Sequence, residues 1–185
     1  LTAVCDVKPE RAGAAAERFG CRAYTDFEVM LEQEKPDVVH ICTPHYLHAP
    51  MAIRALSEDI HVFLEKPMCR TEEEIPLLLE AAKKSKGKIT VSFQNRLNPT
   101  TLTALQLAKE DGGVLRAYGT LFWDRGEKYY TESGWRGKRA TEGGGVLINQ
   151  AIHTLDLLCL FLGRPKTVIA TTANHHLKGI IDVED

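Results

Sequence analysis

Two patterns of apolar and polar positions divide the chain near residue 95. Up to that point short apolar runs alternate with amphipathic stretches. "LTAVCD" (1–6), "DVVHICT" (37–43), "HVFLEKP" (61–67) and "KITVSFQ" (88–94) predict four strands apolar enough for burial on both faces. "PERAGAAAERFG" (9–20) predicts a helix with Pro9 near its first position and Gly20 past its end. "DFEVMLEQE" (26–34) predicts a short helix capped by Asp26, and "PHYLHAPMAIRALSE" a loop turning into a helix. "TEEEIPLLLEAAKKSKG" (71–87) opens on a T-x-x-E capping pair, with Pro76 expected to strain its second turn. Strands alternating with helices predict a parallel sheet covered on both faces, with ligands beyond the carboxyl ends of the strands.

After "NRLNPT" (95–100) the pattern changes. A helix over about 100–110, a long strand "VLRAYGTLFWD" (114–124), an irregular aromatic and basic stretch, an apolar helix within 141–163 and a strand "KTVIATTAN" (166–174) are expected. The expected organisation is therefore a parallel-sheet α/β domain over 1–95, followed by a partial α+β domain over 96–185 with a mainly antiparallel sheet. The extended apolar start without an initiator Met, and the end at "GIIDVED", read as a piece of a longer protein.

Composition narrows the partners. With 23 Lys and Arg against 25 Asp and Glu, the net charge of −2 gives no field to recruit nucleic acid or an anionic membrane. The basic cluster "KKSKGK" (83–88) closes a predicted helix, where cations complement the helix dipole. Five cysteines with no C-x-x-C pair suit reduced thiols in a cytoplasmic protein rather than disulfides or a zinc site. No apolar run reaches the roughly 20 residues of a membrane span.

Several positions carry candidate chemistry. Asp6 ends the first strand, where an acidic residue can accept from adenosine ribose hydroxyls and disfavour a 2′-phosphate, pointing to NAD rather than NADP; taken alone, such a residue is more often a turn aspartate. Thr43, Pro44, His45 and His48 follow the next strand, within reach of a cofactor ribose or diphosphate, or simply capping a helix. Lys66, in "EKP", projects from a strand end into the ligand crevice or stands as an exposed loop lysine.

In "TEGGGVLINQAIHTLDLLCLFLG" (141–163), helical spacing puts Asn149, His153 and Asp156 on one stripe. The helix behind them is apolar all round, so the stripe must find internal partners or a ligand cleft. The glycines are expected to let a ligand approach the helix N-terminus. A histidine satisfied by Asp156 remains the plainer alternative. One His with an Asn and an Asp is a poor metal-ligand set, so no metal is expected. Trp135, Arg136 and Lys138 could stack on a sugar or pair with an anionic substrate group, or form a solvated loop.

Taken together, Asp6, "TPHYLH", "EKP", "FQNRLNP", "GWRG" and "GGGVLINQAIHTLDLLCLFLG" give a chain that resembles the glucose–fructose oxidoreductase / inositol dehydrogenase (Gfo/Idh/MocA) family over nearly its whole length. The resemblance implies an N-terminal Rossmann domain with bound NAD(P) and a C-terminal α/β domain that often forms the oligomer interface, hence a homo-oligomer. It places the family's lysine at Lys66 and its histidine at His153, and sets Glu65 beside the cofactor. Many members carry Asp where this chain has Asn149, and an amide cannot serve as a base.

The expected reaction is hydride transfer between NAD(H) and a secondary hydroxyl of a sugar, cyclitol or nucleotide-sugar. His153 is the expected acid/base, Lys66 the stabiliser of alkoxide charge, Asn149 the orienter of substrate and Asp156 the support of the imidazole. A redox-elimination glycosidase and a non-catalytic dinucleotide sensor are the alternatives.

Overall fold

The computed structural model describes residues 1–185. Five short strands and eight helices follow one another as β1 (Ala3–Cys5), α1 (Pro9–Phe19), β2 (Arg22–Tyr24), α2 (Phe27–Glu34), β3 (Val38–Ile41), α3 (His45–Leu56), β4 (His61–Leu64), α4 (Glu74–Lys84), β5 (Ile89–Val91), α5 (Pro99–Glu110), α6 (Glu127–Thr131), α7 (Val146–Asn149) and α8 (Ile152–Leu162), with a 3₁₀ turn at Gln94–Leu97. All strand pairs are parallel: β1 with β2, and β3–β4–β5 in that order.

Local chemistry sets the first helices. Pro9 occupies the start of α1, and Gly20 closes it at φ 64°. The Asp26 carboxylate accepts the Val29 N–H at 3.1 Å and starts α2. Helix α4 begins at Glu74, later than the T-x-x-E pattern implied. Its Glu74 carboxylate reaches back to the Arg70 and Thr71 N–H groups. Pro76 therefore lies in the first turn rather than the second, where a missing N–H costs no helical hydrogen bond.

The core lies between β3–β4 and helices α2, α3 and α4. Val39 and Ile41 on β3, and Val62 and Leu64 on β4, point to one face and bury against Ala52, Ala55 and Leu56 of α3 and Leu78 of α4. The almost fully buried Ala49, Ala52 and Ala55 recur every third position, so α3 can lie close on the sheet. The opposite face corrects the expectation of burial on both sides. Val38 and Phe63 are exposed there, because no helix of this chain packs against that side. Strand β2 had no apolar run to betray it: it is held by pairing with β1 rather than by burial.

The second half departs further from expectation. No strand forms over 114–124 or 166–174, and residues 114–125 make no backbone–backbone hydrogen bond. A strand needs a neighbour for its ladder, and neither segment meets one within these 185 residues. Their apolar side chains stay in the open, with Leu115, Phe122 and Ile169 almost fully exposed. The buried cluster here is small: Leu177, Ile181 and Val183 against Tyr130.

Candidate active site

The site begins where β4 ends. Glu65 continues the sheet through its N–H to the Ile41 carbonyl at 3.0 Å, and the Lys66–Pro67 peptide is cis. Half-buried Lys66 extends from this strand end to the end of α7. There its ammonium donates to the Asn149 carbonyl at 2.6 Å and to Asn149 Oδ1 at 3.2 Å. An ammonium has three protons, so these contacts leave one for another acceptor. Burial pushes the Lys66 pKa below that of a free lysine. The charges of Glu65 and then Glu142 oppose that shift, and Arg136 adds to it.

Behind Asn149 stands a residue that the sequence reading missed. Asn149 Nδ2 donates to a Glu142 carboxylate oxygen and lies 3.4 Å from the Tyr129 hydroxyl. The other Glu142 oxygen accepts the Gly137 N–H. The whole residue is 1% exposed. Burial raises the Glu142 pKa, and the Gly137 N–H, the Asn149 amide, Arg136 and Lys66 pull it back. The only sequence signal was an acidic residue before a glycine run, and nothing local ties that to a lysine 76 positions away.

His153 opens α8. Its ring meets Phe93 edge-on at a centroid distance of 6.0 Å, and its buried Nδ1 has no hydrogen-bond partner. Burial lowers its pKa first and the Lys66 charge second, while Glu65 and Asp156 raise it. Lys66 and Glu65 thus act on the imidazole through one shared electrostatic field. Asp156 does not hold the imidazole as expected. It pairs with Arg96 through two hydrogen bonds, one of 2.7 Å, tying the 3₁₀ turn to α8.

The continuous stripe of Asn149, His153 and Asp156 is also corrected. The chain breaks between α7 and α8, and the Ala151 N–H reaches back five residues to the Val146 carbonyl at 2.8 Å. Such a wide turn re-aims the residues after it.

The glycines prove to serve chain packing rather than a ligand. A Cβ on Gly145 would lie 1.7 Å from the Glu184 carbonyl oxygen, and one on Gly143, at φ +92°, 2.7 Å from that of Arg70. The Glu184 carboxylate accepts the Gly145 N–H at 2.8 Å and the Leu147 N–H at 3.2 Å, so a side chain occupies the anion position at the start of α7.

The remaining candidates divide into two groups. Asp6, Thr43, Pro44, Glu65 and Lys66 lie just beyond the ends of β1, β3 and β4. Asp6 Oδ1 accepts the Lys8 N–H at 2.9 Å, and its second oxygen makes no protein hydrogen bond. A free carboxylate oxygen at a parallel-strand end fits the ribose hydroxyls of NAD. The Thr43 hydroxyl lies 3.6 Å from the Met51 sulfur, and Pro44 precedes α3.

His45 and His48 are buried and brace the site instead. His45 Nδ1 donates to the Glu142 carbonyl at 2.8 Å, and burial drops its pKa to about 4. The two ring nitrogens of His48 lie 2.7 Å from the Pro67 carbonyl and 2.8 Å from that of Thr43. Trp135 packs on His45, and Arg136 is sandwiched between Trp135 and Tyr129 at 4.6 Å from each ring. Lys138 turns back to the Gly134 carbonyl at 3.1 Å. A cavity of about 290 Å³ opens beside Glu142 and Asn149, walled by Trp123, Arg125 and Tyr129; Lys66 and His153 lie outside its lining.

Parallel strands joined by helices, the first ending on an acidic residue, are the arrangement found in dinucleotide-binding α/β folds. Residues 1–93 match the model of the oxidoreductase family with an NAD-binding Rossmann fold, and residues 101–185 match the GFO/IDH/MocA C-terminal domain. The chain belongs to the GFO/IDH/MocA oxidoreductase family.

Levoglucosan dehydrogenase of Pseudarthrobacter phenanthrenivorans is 31% identical to it over 90% of this chain and 44% of that protein. Inositol 2-dehydrogenase of Rhizobium meliloti is 29% identical, covering 100% of this chain and 54% of that one. Among solved structures, the WlbA dehydrogenase from Bordetella pertussis, in complex with NADH and UDP-GlcNAcA, matches with a TM-score of 0.91 at 34% identity. That match covers 100% of this chain and 57% of the other. The chain spans about half the length of the curated relatives it matches. No helix is long and apolar enough to cross a membrane.

Proposed function

We propose that the full-length protein containing this chain transfers a hydride between NAD(H) and a secondary hydroxyl or ketone of a sugar, cyclitol or nucleotide-sugar. The observation that carries this reading is the Lys66 ammonium, anchored on Asn149 with one proton to spare, acting on the same field as the unpartnered imidazole of His153. NAD, when bound, supplies the hydride acceptor at its nicotinamide.

Every other role falls to the chain. Asp6 would hold the adenosine ribose, and Thr43, Pro44 and Glu65 would line the strand ends along the cofactor. Lys66 would donate its third proton to the substrate oxygen and stabilise negative charge growing there. His153, kept neutral by burial and by the nearby lysine, would take the hydroxyl proton during oxidation and return it during reduction. Asn149 would fix the lysine, and Arg136, held between Trp135 and Tyr129, would offer its charge to an anionic group of the substrate.

The division near residue 95 into a cofactor domain and a substrate domain belongs to the same reading. So does an antiparallel sheet built on 114–124 and 166–174 in the longer protein, which would supply their missing partners and a surface for a homo-oligomer. The exposed apolar residues and unpaired backbone of 114–124 support it. The five free thiols support a cytoplasmic setting.

Two measurements on the full-length protein test the function. Incubation with NAD and a panel of sugars, cyclitols and nucleotide-sugars should produce NADH with at least one of the three classes. NAD binding without turnover on any of them would overturn the dehydrogenase reading in favour of a sensor.

The pH dependence gives a second check. Oxidation needs neutral His153, so kcat/KM should rise as pH rises through its pKa. Because burial and Lys66 both lower that pKa, the midpoint should fall below the ordinary value of 6.5. A midpoint above 6.5 would remove His153 from the role of base.

A further inference from the structure

We propose that Glu142 is the carboxylate that serves Lys66, acting through the Asn149 amide, and is therefore a positioning residue for the lysine rather than a structural acid. This inference rests on the reading of Lys66 as the group that meets the substrate oxygen.

The geometry is a three-membered chain. The ammonium donates to Asn149 Oδ1 at 3.2 Å, and Asn149 Nδ2 donates to Glu142. An amide held between a cation and an anion is polarised along its own dipole. Its oxygen becomes a stronger acceptor for the ammonium, and the negative charge acts at one amide's remove. The orientation of the amide is set by its neighbours: an ammonium can only donate and a carboxylate can only accept.

Glu142 is built into place rather than merely present. Both carboxylate oxygens accept N–H donors, from Asn149 and Gly137, and its backbone carbonyl accepts from His45. A carboxylate with 1% exposure is costly unless paired. Helix capping does not explain it, since Glu184 already takes the N–H groups at the start of α7. The other charged or titratable groups facing Lys66 are Glu65 from its own strand end, Arg136 from the loop before the glycines, and the two imidazoles of His45 and His153, both held toward the neutral form. Glu65 influences the lysine more strongly than Glu142 does, yet it makes no hydrogen bond or ion pair with the ammonium. Glu142 is joined to Lys66 through a single side-chain amide, that of Asn149.

The test moves the charge by one link; the double variant keeps the hydrogen bonds complementary, whereas the single variant sets the glutamine NH2 against one N–H donor. In the full-length protein, Glu142→Gln removes the negative charge. Glu142→Gln combined with Asn149→Asp puts it directly on the lysine, and the new Gln amide then donates to the new carboxylate. Lys66 is followed by NMR in protein labelled with ¹³C at the lysine ε-carbon, its resonance identified by its loss in Lys66→Arg. The alkaline limb of kcat is followed in parallel.

In the single variant, Lys66 should titrate lower by about half to one pH unit, and the alkaline limb should move with it. In the double variant both should return to the wild-type position or above. Unchanged titration of Lys66 in a folded single variant would overturn the proposal. If the single variant fails to fold, a folded double variant in which Lys66 titrates below wild type would overturn it equally. A shift of the lysine in a protein that turns over no substrate would leave this coupling standing while ending the dehydrogenase reading.

Discussion

Replacing Lys66 with Ala in the full-length protein should lower kcat for the sugar reaction by about a thousandfold while leaving NAD binding nearly unchanged. The side chain enters the site from the end of β4 and spends two of its three protons on Asn149. It is thus held before any substrate arrives, and a group fixed in advance needs no reorganisation as charge develops on the reacting oxygen. Truncation to Ala removes that donor and also leaves the Asn149 carbonyl and amide oxygen without their cation. The strand ends carrying Asp6 and Thr43 are untouched, so the dinucleotide should bind as before. Turnover in this variant within tenfold of wild type would remove the lysine from the chemistry. Loss of NAD binding in equal measure would make it a cofactor ligand instead.

Gly145→Ala should destabilise the protein by about 2–4 kcal/mol, combining the cost of overpacking with the loss of a helix cap. The new methyl would sit 1.7 Å from the Glu184 carbonyl oxygen and 3.1 Å from the Val183 side chain. A backbone carbonyl cannot swing aside as a flexible side chain does, so the 183–184 segment must shift. That shift also withdraws the Glu184 carboxylate from the Gly145 and Leu147 N–H groups. Because α7 carries Asn149, the disturbance should reach Lys66, and kcat should fall with stability.

Gly13→Ala is the contrasting variant. Gly13 lies inside α1, and a methyl group placed on it would meet nothing within 4 Å, so alanine should stabilise the helix by about 0.5–1 kcal/mol. Denaturant midpoints of the two variants against wild type decide the matter. A wild-type midpoint for Gly145→Ala would mean that the 183–184 segment yields freely.

The sequence was most informative where local rules govern. Pro9, Gly20 and Asp26 punctuate α1 and α2 as their chemistry requires. The apolar runs at 37–43 and 61–67 become the paired strands β3 and β4. The lysine after the second run was readable because the end of a parallel strand has a known direction. Strand β2 was not readable, since three residues with little burial leave no hydrophobic signature. The strands expected over 114–124 and 166–174 had a suitable pattern, but a pattern cannot supply a neighbour to complete the ladder.

The site shows the same division. Residue identities in the chain by themselves determined that this protein carries a strand-end lysine, a glycine-led segment with Asn149 and His153, and an acidic first strand tip. Those are properties of single segments, set by side-chain chemistry and backbone propensity. Only the tertiary structure decided which groups meet: that Asp156 goes to Arg96 and not to His153, that Gly143 and Gly145 admit backbone rather than ligand, and that Glu142 stands behind Asn149. The physical reason is that hydrogen bonds and charges act over a few ångströms of space, and separation along the chain says nothing about that distance until the fold is closed.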